Sequence, residues 1–219
     1  MSEQSSSDGV RDHESWARAV MSGYDDVAEA YDADRRPDED TSFVESIAVD
    51  LPEDGRVLDA GCGGGRAAFE TLADDYEAVG FDISGEQLAL ASERAPAARL
   101  VRGDLTRIPL ADDAVDALTA LHSVIHVPRE HHERVFAEFA RVLRPGGRLL
   151  VTTGVGEWEG ENDDWLDSGA EMQWSFHGRE ASLELLDDAG FDVEDDTVVG
   201  DELGDGGGEW LFVTARLRA

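Results

Sequence analysis

Apolar and polar positions follow two different rhythms along the 219 residues. From about Val10 to Ala33, Trp16, Val20, Tyr24, Val27 and Tyr31 recur three or four apart, the spacing of a helix with one buried face, and Gly23 is expected to break it. Arg35-Arg36-Pro37 ends this helix. Thr41 or Ser42 caps a second one, Phe43–Leu51, which Pro52 closes. Short apolar runs then alternate with helical patterns. The spacing predicts strands at Arg56–Ala60, Ala78–Asp82, Arg99–Arg102, Val115–Leu121 and Arg148–Thr153. Between them it predicts helices at Arg66–Asp74, from a Ser84 cap to Arg94, and Arg129–Leu143, the last stopped by Pro145-Gly146-Gly147. Gln87 stands at the reciprocal capping-box position to Ser84. Such alternation argues for a parallel sheet in a doubly wound α/β fold. Glu157–Phe176 is aromatic and acidic without clear period. A helix over Arg179–Ala189 follows, then strands Phe191–Val199 and Glu209–Leu217. Their acidic, Gly-rich link is too short for a crossover helix, so they should form an antiparallel hairpin.

Charge changes the picture of partners. Fifty Asp and Glu against eighteen basic residues, every one of them Arg, leave a formal charge of −32. A phosphate backbone or an anionic membrane surface needs a basic patch, and no stretch supplies one, so neither nucleic acid nor membrane is an expected partner. No apolar run approaches the roughly 20 residues that span a bilayer, and the Ser-rich start is not a signal peptide. Cys62 is the single cysteine, so no intramolecular disulfide forms and a cytoplasmic setting follows by default. The acids are spread over the whole chain. Their mutual repulsion is screened at molar salt, where the Debye length is about 3 Å. Spread acids with no Lys suggest an extreme halophile, against the blander reading of an ordinary acidic cytosolic protein.

Candidate chemistry begins at Val57-Leu58-Asp59-Ala60-Gly61-Cys62-Gly63-Gly64-Gly65-Arg66, a strand running through glycines into a helix. Glycines there let the backbone take positive φ and approach a ligand closely. The spacing is G-x-G-x-G; the dinucleotide fingerprint needs its third Gly at position 66, which is Arg. Asp82, at the end of the second strand, can accept both hydroxyls of a ribose, and Ser84 is available to cap the next helix in its place. Asp104, in Gly103-Asp104-Leu105 after the third strand, can accept from an exocyclic amine.

Together these residues resemble the class I S-adenosylmethionine-dependent methyltransferases of the type 11/25 kind, over roughly Tyr24 to Leu217. Val57–Gly65 is similar to their motif I and Gly80–Ser84 to their acidic ribose motif. Gly103–Leu105 with Ile108–Asp116 is similar to their adenine segment and the strand after it. Arg141–Leu149 is similar to their R-x-L-x-P-G-G turn. With the acidic composition, the resemblance points to a halophilic archaeon. It implies a Rossmann-like seven-stranded sheet of order 3-2-1-4-5-7-6 with strand 7 antiparallel. The chain itself reads as a disordered lead-in over 1–9 and a helical cap over 10–52, ahead of a cofactor-binding core over 53–219 with an acceptor-side insertion at 154–178. S-adenosylmethionine is the implied cofactor. Asp59, Gly61, Gly63 and Gly65 would face its methionine part and ribose, Asp82 the ribose hydroxyls, and Ile83, Asp104 and Leu105 the adenine. Leu121 and His122 would lie beside the methionine part, and Tyr24 and Tyr31 would fold over it.

The implied reaction is an in-line methyl transfer to a small molecule. The place after the fourth strand reads Leu121-His122-Ser123-Val124, not the Asn/Asp-Pro-Pro-Tyr/Phe of nucleobase amino-methyltransferases. His126 is the first candidate for a base or orienting group and His177 the second. Trp158, Trp165, Trp174 and Phe176 are candidate pocket walls, whereas Trp16 and Trp210 are expected to fill the core. His131 and His132 are expected on an exposed helix, and no metal site is implied. Arg66 could pair the cofactor carboxylate or stand in solvent. A chain that binds the cofactor without turning it over, as a sensor or partner subunit, carries the same motifs.

Overall fold

The computed structural model describes residues 12–34, 38–49, 51–200 and 208–219. Helices α1 (His13–Asp34) and α2 (Asp38–Ala48) precede β1 (Arg56–Ala60), α3 (Ala67–Leu72), β2 (Glu77–Asp82), α4 (Gly85–Arg94), β3 (Arg99–Arg102) and β4 (Val115–Ala120). Two 3₁₀ turns, Val124–His126 and Arg129–His131, lead into α5 (His132–Val142). Then come β5 (Leu143–Gly154), β6 (Trp158–Trp165), β7 (Ala170–Phe176), α6 (Arg179–Asp188), β8 (Phe191–Gly200) and β9 (Glu209–Leu217).

The main sheet runs β3-β2-β1-β4-β5-β9-β8, with β9 antiparallel to both β5 and β8. This is the expected order once β6 and β7 are set apart, because those two strands pair only with each other. Successive side chains of a strand point to opposite faces. Leu58, Leu149 and Val213 therefore pack on α5 and α6 with Phe136, Phe139 and Leu186. Their neighbours Val57, Leu150 and Phe212 pack on the other face with Val44 and Ile47 of α2. Burial on both faces explains why these strands read as continuous apolar runs.

Several expectations change. The helix expected from Val10 is unbroken at Gly23. A Cβ there would stand 2.3 Å from the Glu171 carbonyl oxygen, so Gly23 permits α1 to lie directly on β7. The second helix begins earlier than expected, at Asp38, and α5 ends at Val142, so Pro145-Gly146-Gly147 falls within β5. His132 is fully buried rather than exposed; its Nε2–H donates to the Val127 carbonyl and steadies the turn before α5. The stretch without clear period is the β6–β7 hairpin. The expected lead-in Met1–Gly9, the Arg35–Pro37 break and most of the acidic link before β9 lie outside the described residues. Among the described residues, no helix is long and apolar enough to cross a membrane.

Candidate active site

The carboxyl ends of β1, β2, β3 and β4 open on one side of the sheet, and α1 lies across all four. Gly61 turns the chain out of β1 at φ +89, a conformation that favours glycine. A Cβ on it would also meet Ser123 Cβ at 2.2 Å, so the β4 loop can close only on a glycine. Gly61 and Cys62 donate to the Phe81 carbonyl at 2.7 and 3.1 Å, which ties the loop to the end of β2. Gly63 N–H donates to Asp82 Oδ2 at 2.8 Å, and Ser84 N–H to Asp82 Oδ1 at the same distance. Burial pushes the Asp82 carboxyl up from its ordinary pKa, against the pull of these backbone donors. Asp82 therefore organises both the glycine loop and the start of α4, while Ser84 Oγ still accepts from Gln87 N–H. Ser84 caps α4, as expected, and Asp82 lines the cavity.

Strap contacts from α1 fasten each loop. His13 Nε2 reaches Asp104 Oδ2 at 2.7 Å, while Thr106 donates its N–H and hydroxyl to Asp104 Oδ1. Asp25 accepts from the Ser84 hydroxyl at 2.6 Å. Asp32 lies between the guanidiniums of Arg66 and Arg94. Burial raises the Asp32 carboxyl, but the two arginines outweigh it and hold it below the usual carboxylate range. Arg66 thus pairs with an acid of α1 while it stays partly exposed at the cavity wall. Trp16 Nε1–H donates to the His126 carbonyl at 2.9 Å.

The His126 ring is held on both sides. The Gln173 carbonyl, 2.7 Å from Nδ1, can only accept, so Nδ1 carries the proton. Nε2 then accepts from the Tyr24 hydroxyl at 2.8 Å. Burial lowers the His126 pKa to about 4, against the Gln173 carbonyl, so the ring is neutral at ordinary pH. His122 adopts φ +51, which histidine tolerates better than most residues, and turns the chain out of β4.

These elements enclose a cavity of about 1010 Å³, open solvent at its mouth included. Tyr24, Tyr31, Asp59, Gly61, Gly63, Asp82, Ile83, Asp104, Leu105, Leu121, His122 and His126 all line it. Gly65 and His177 do not. Gly65 packs beneath α4, where a Cβ would meet Ala91 at 3.3 Å, and His177 donates to the Arg129 carbonyl behind the wall. Trp158, Trp165, Trp174 and Phe176 are also off the wall. They form a chain of ring contacts within the hairpin, and Trp165 backs Tyr24 and Tyr31. Trp16, expected in the core, lines the cavity, as do His13, Asp32 and Gln87. Their signals in the sequence were weak: Asp32 is one acid among 50, and Gln87 reads as a helix cap.

Residues 58–151, the part that carries most of this wall, match the family model described as a methyltransferase domain. A 27-O-demethylrifamycin SV methyltransferase of Amycolatopsis mediterranei is 38% identical over 120 residues, 51% of this chain and 43% of that protein. A demethylmenaquinone methyltransferase of Beutenbergia cavernae is 34% identical over 145 residues, 60% of this chain and 56% of that protein. The chain spans about half the length of the curated relatives it matches. The fold is also that of the Burkholderia thailandensis 1,6-didemethyltoxoflavin-N1-methyltransferase, solved with 1,6-didemethyltoxoflavin and S-adenosylhomocysteine bound. The two agree with a TM-score of 0.76 at 19% identity, covering 96% of this chain and 92% of that one. The matched segment supplies the glycine loop, Asp82 and Asp104, while α1, outside it, lines the cavity and the β6–β7 hairpin backs Tyr24, Tyr31 and His126.

Proposed function

We propose that the chain is an S-adenosylmethionine-dependent methyltransferase of a small-molecule acceptor. The observation that carries this reading is the buried Asp82 carboxylate, with the glycine loop folded onto it, at the wall of a cavity roofed by α1. The residues fit the cofactor: Asp82 would accept from the ribose hydroxyls, Asp104 from the adenine amine, and Ile83 and Leu105 would face the base. Gly61 and Gly63 leave room for the chain toward the methionine part, between Leu121, His122 and Tyr31. When bound, the cofactor supplies a methyl activated by a sulfonium.

The protein's share is positioning and exclusion of water. An acceptor must be held about 3–3.5 Å from the methyl, which by itself supplies roughly 7–11 kcal/mol of the barrier. Trp16, Tyr24 and His126 wall the side where it would sit. His126 serves as the orienting group: its fixed tautomer leaves Nε2 to accept a hydrogen bond from the Tyr24 hydroxyl and so sets the direction of that hydroxyl. His177, behind the wall, has no part in this step. The large acidic surface fits work in the concentrated salt of a halophile's cytoplasm, and raising KCl from 0.1 to 2 M is expected to raise the unfolding temperature. A midpoint that falls over this range would remove the halophile reading.

Calorimetric titration in molar KCl tests the central claim. S-adenosylhomocysteine is expected to bind and NAD is not; the reverse pattern overturns the proposal. Transfer of labelled methyl from S-adenosylmethionine to members of a small-metabolite panel then identifies the acceptor.

A further inference from the structure

Gln87 carries a buried amide with nothing to bind. The residue is 1% exposed and lines the cavity, yet among the described residues neither its Oε1 nor its Nε2 has a hydrogen-bond partner. The local reason is clear. Ser84 and Gln87 stand in capping-box register, and Ser84 Oγ accepts from Gln87 N–H at 3.1 Å as that motif requires. The return bond, from Ser84 N–H to the Gln87 side chain, is missing because Ser84 N–H donates to Asp82 Oδ1. Asp82 has displaced the amide, which stands beside the glycine loop, with Oε1 3.6 Å from where a Gly63 Cβ would be.

A buried amide left without partners is costly, and such groups in folded proteins call for an explanation. The missing ligand must both donate to Oε1 and accept from Nε2. An anion would leave Oε1 empty and face the Asp82 carboxylate, and a cation would leave Nε2 empty. A pair of neighbouring hydroxyls meets every requirement, because each hydroxyl can donate to an acceptor and still accept on its oxygen.

We propose that Gln87 is a second ribose ligand, forming with Asp82 a clamp for the cofactor's vicinal diol. This rests on the methyltransferase reading and extends it. Asp82 accepts a hydrogen bond from the diol, and Gln87 supplies the donor that a carboxylate cannot. The amide thereby reads both hydroxyls and selects ribose over its deoxy forms.

Gln87→Met keeps the length and helix preference of the side chain while removing its polar atoms. In calorimetry the variant is expected to bind S-adenosylhomocysteine about tenfold more weakly than the wild type. In competition for the site, the wild-type preference for adenosine over 2′-deoxyadenosine and 3′-deoxyadenosine should shrink in the variant. The ligand-free variant should melt no lower than wild type, because an unsatisfied buried amide has been removed. Unchanged S-adenosylhomocysteine affinity, an unchanged preference among the three nucleosides, or a lower melting point of the ligand-free variant would each overturn the clamp. If the wild type fails to bind S-adenosylhomocysteine, it is the methyltransferase reading that fails.

Discussion

Asp82→Ala is expected to weaken S-adenosylhomocysteine binding by about 1.5–3 kcal/mol, roughly ten- to 150-fold, the range for hydrogen bonds to a charged group. The same change should lower the stability of the ligand-free protein. Both Asp82 oxygens already accept from backbone, and the variant strands the N–H groups of Gly63 and Ser84. A buried donor left without its acceptor costs about 1–3 kcal/mol. The Ser84 contact is wholly buried and should bear most of that, whereas Gly63 is on the cavity wall, where water can reach it. Calorimetry and a melting curve read the two effects separately. Unchanged affinity would remove Asp82 from the site even if stability fell.

Acid is expected to destabilise the fold well before the carboxylates titrate. Burial lowers both His126 and His132 from 6.5 to about 4, against backbone carbonyl contacts that act the other way. Between those values the unfolded chain binds protons that the folded chain refuses. Stability is therefore unaffected by these groups above pH 6.5 and falls as pH drops, by about 3 kcal/mol for each histidine on reaching pH 4. Asp32, Glu138 and Glu194, held low by arginine partners, add to the loss only further down. Urea unfolding at pH 7 and pH 5 in fixed molar KCl should differ by about 2 kcal/mol per histidine. His132→Gln keeps an N–H for the Val127 carbonyl but does not titrate, so it should remove about half of the difference. If His132→Gln leaves the full difference in place, buried histidine is not its source.

Much of the fold was legible because its period is local. A strand buried on both faces shows as an apolar run, and one such run ending in glycines, followed by another ending in Asp82, already marked the strand ends that line the cavity. The β6–β7 hairpin was hidden for a physical reason. Glu159, Glu161, Asp163 and Asp164 face solvent, few apolar residues alternate with them, and the register shifts between Asn162 and Trp165. An alternation so diluted and then interrupted carries no readable period.

Composition and local pattern by themselves determined the acidic surface, the doubly wound sheet, the glycine loop and the carboxylates at the strand ends. Each of these follows from neighbours a few residues apart. Only the tertiary structure decided which side chains share the cavity. It brought α1 over four loops through bonds that join residues 34 to 110 positions apart, and so moved Trp16, Asp32 and Gln87 into the site. It left His177 and the hairpin tryptophans behind the wall. It also settled the state of His126, because a neutral ring with a fixed tautomer depends on the Gln173 carbonyl and Tyr24 hydroxyl that folding brings to it.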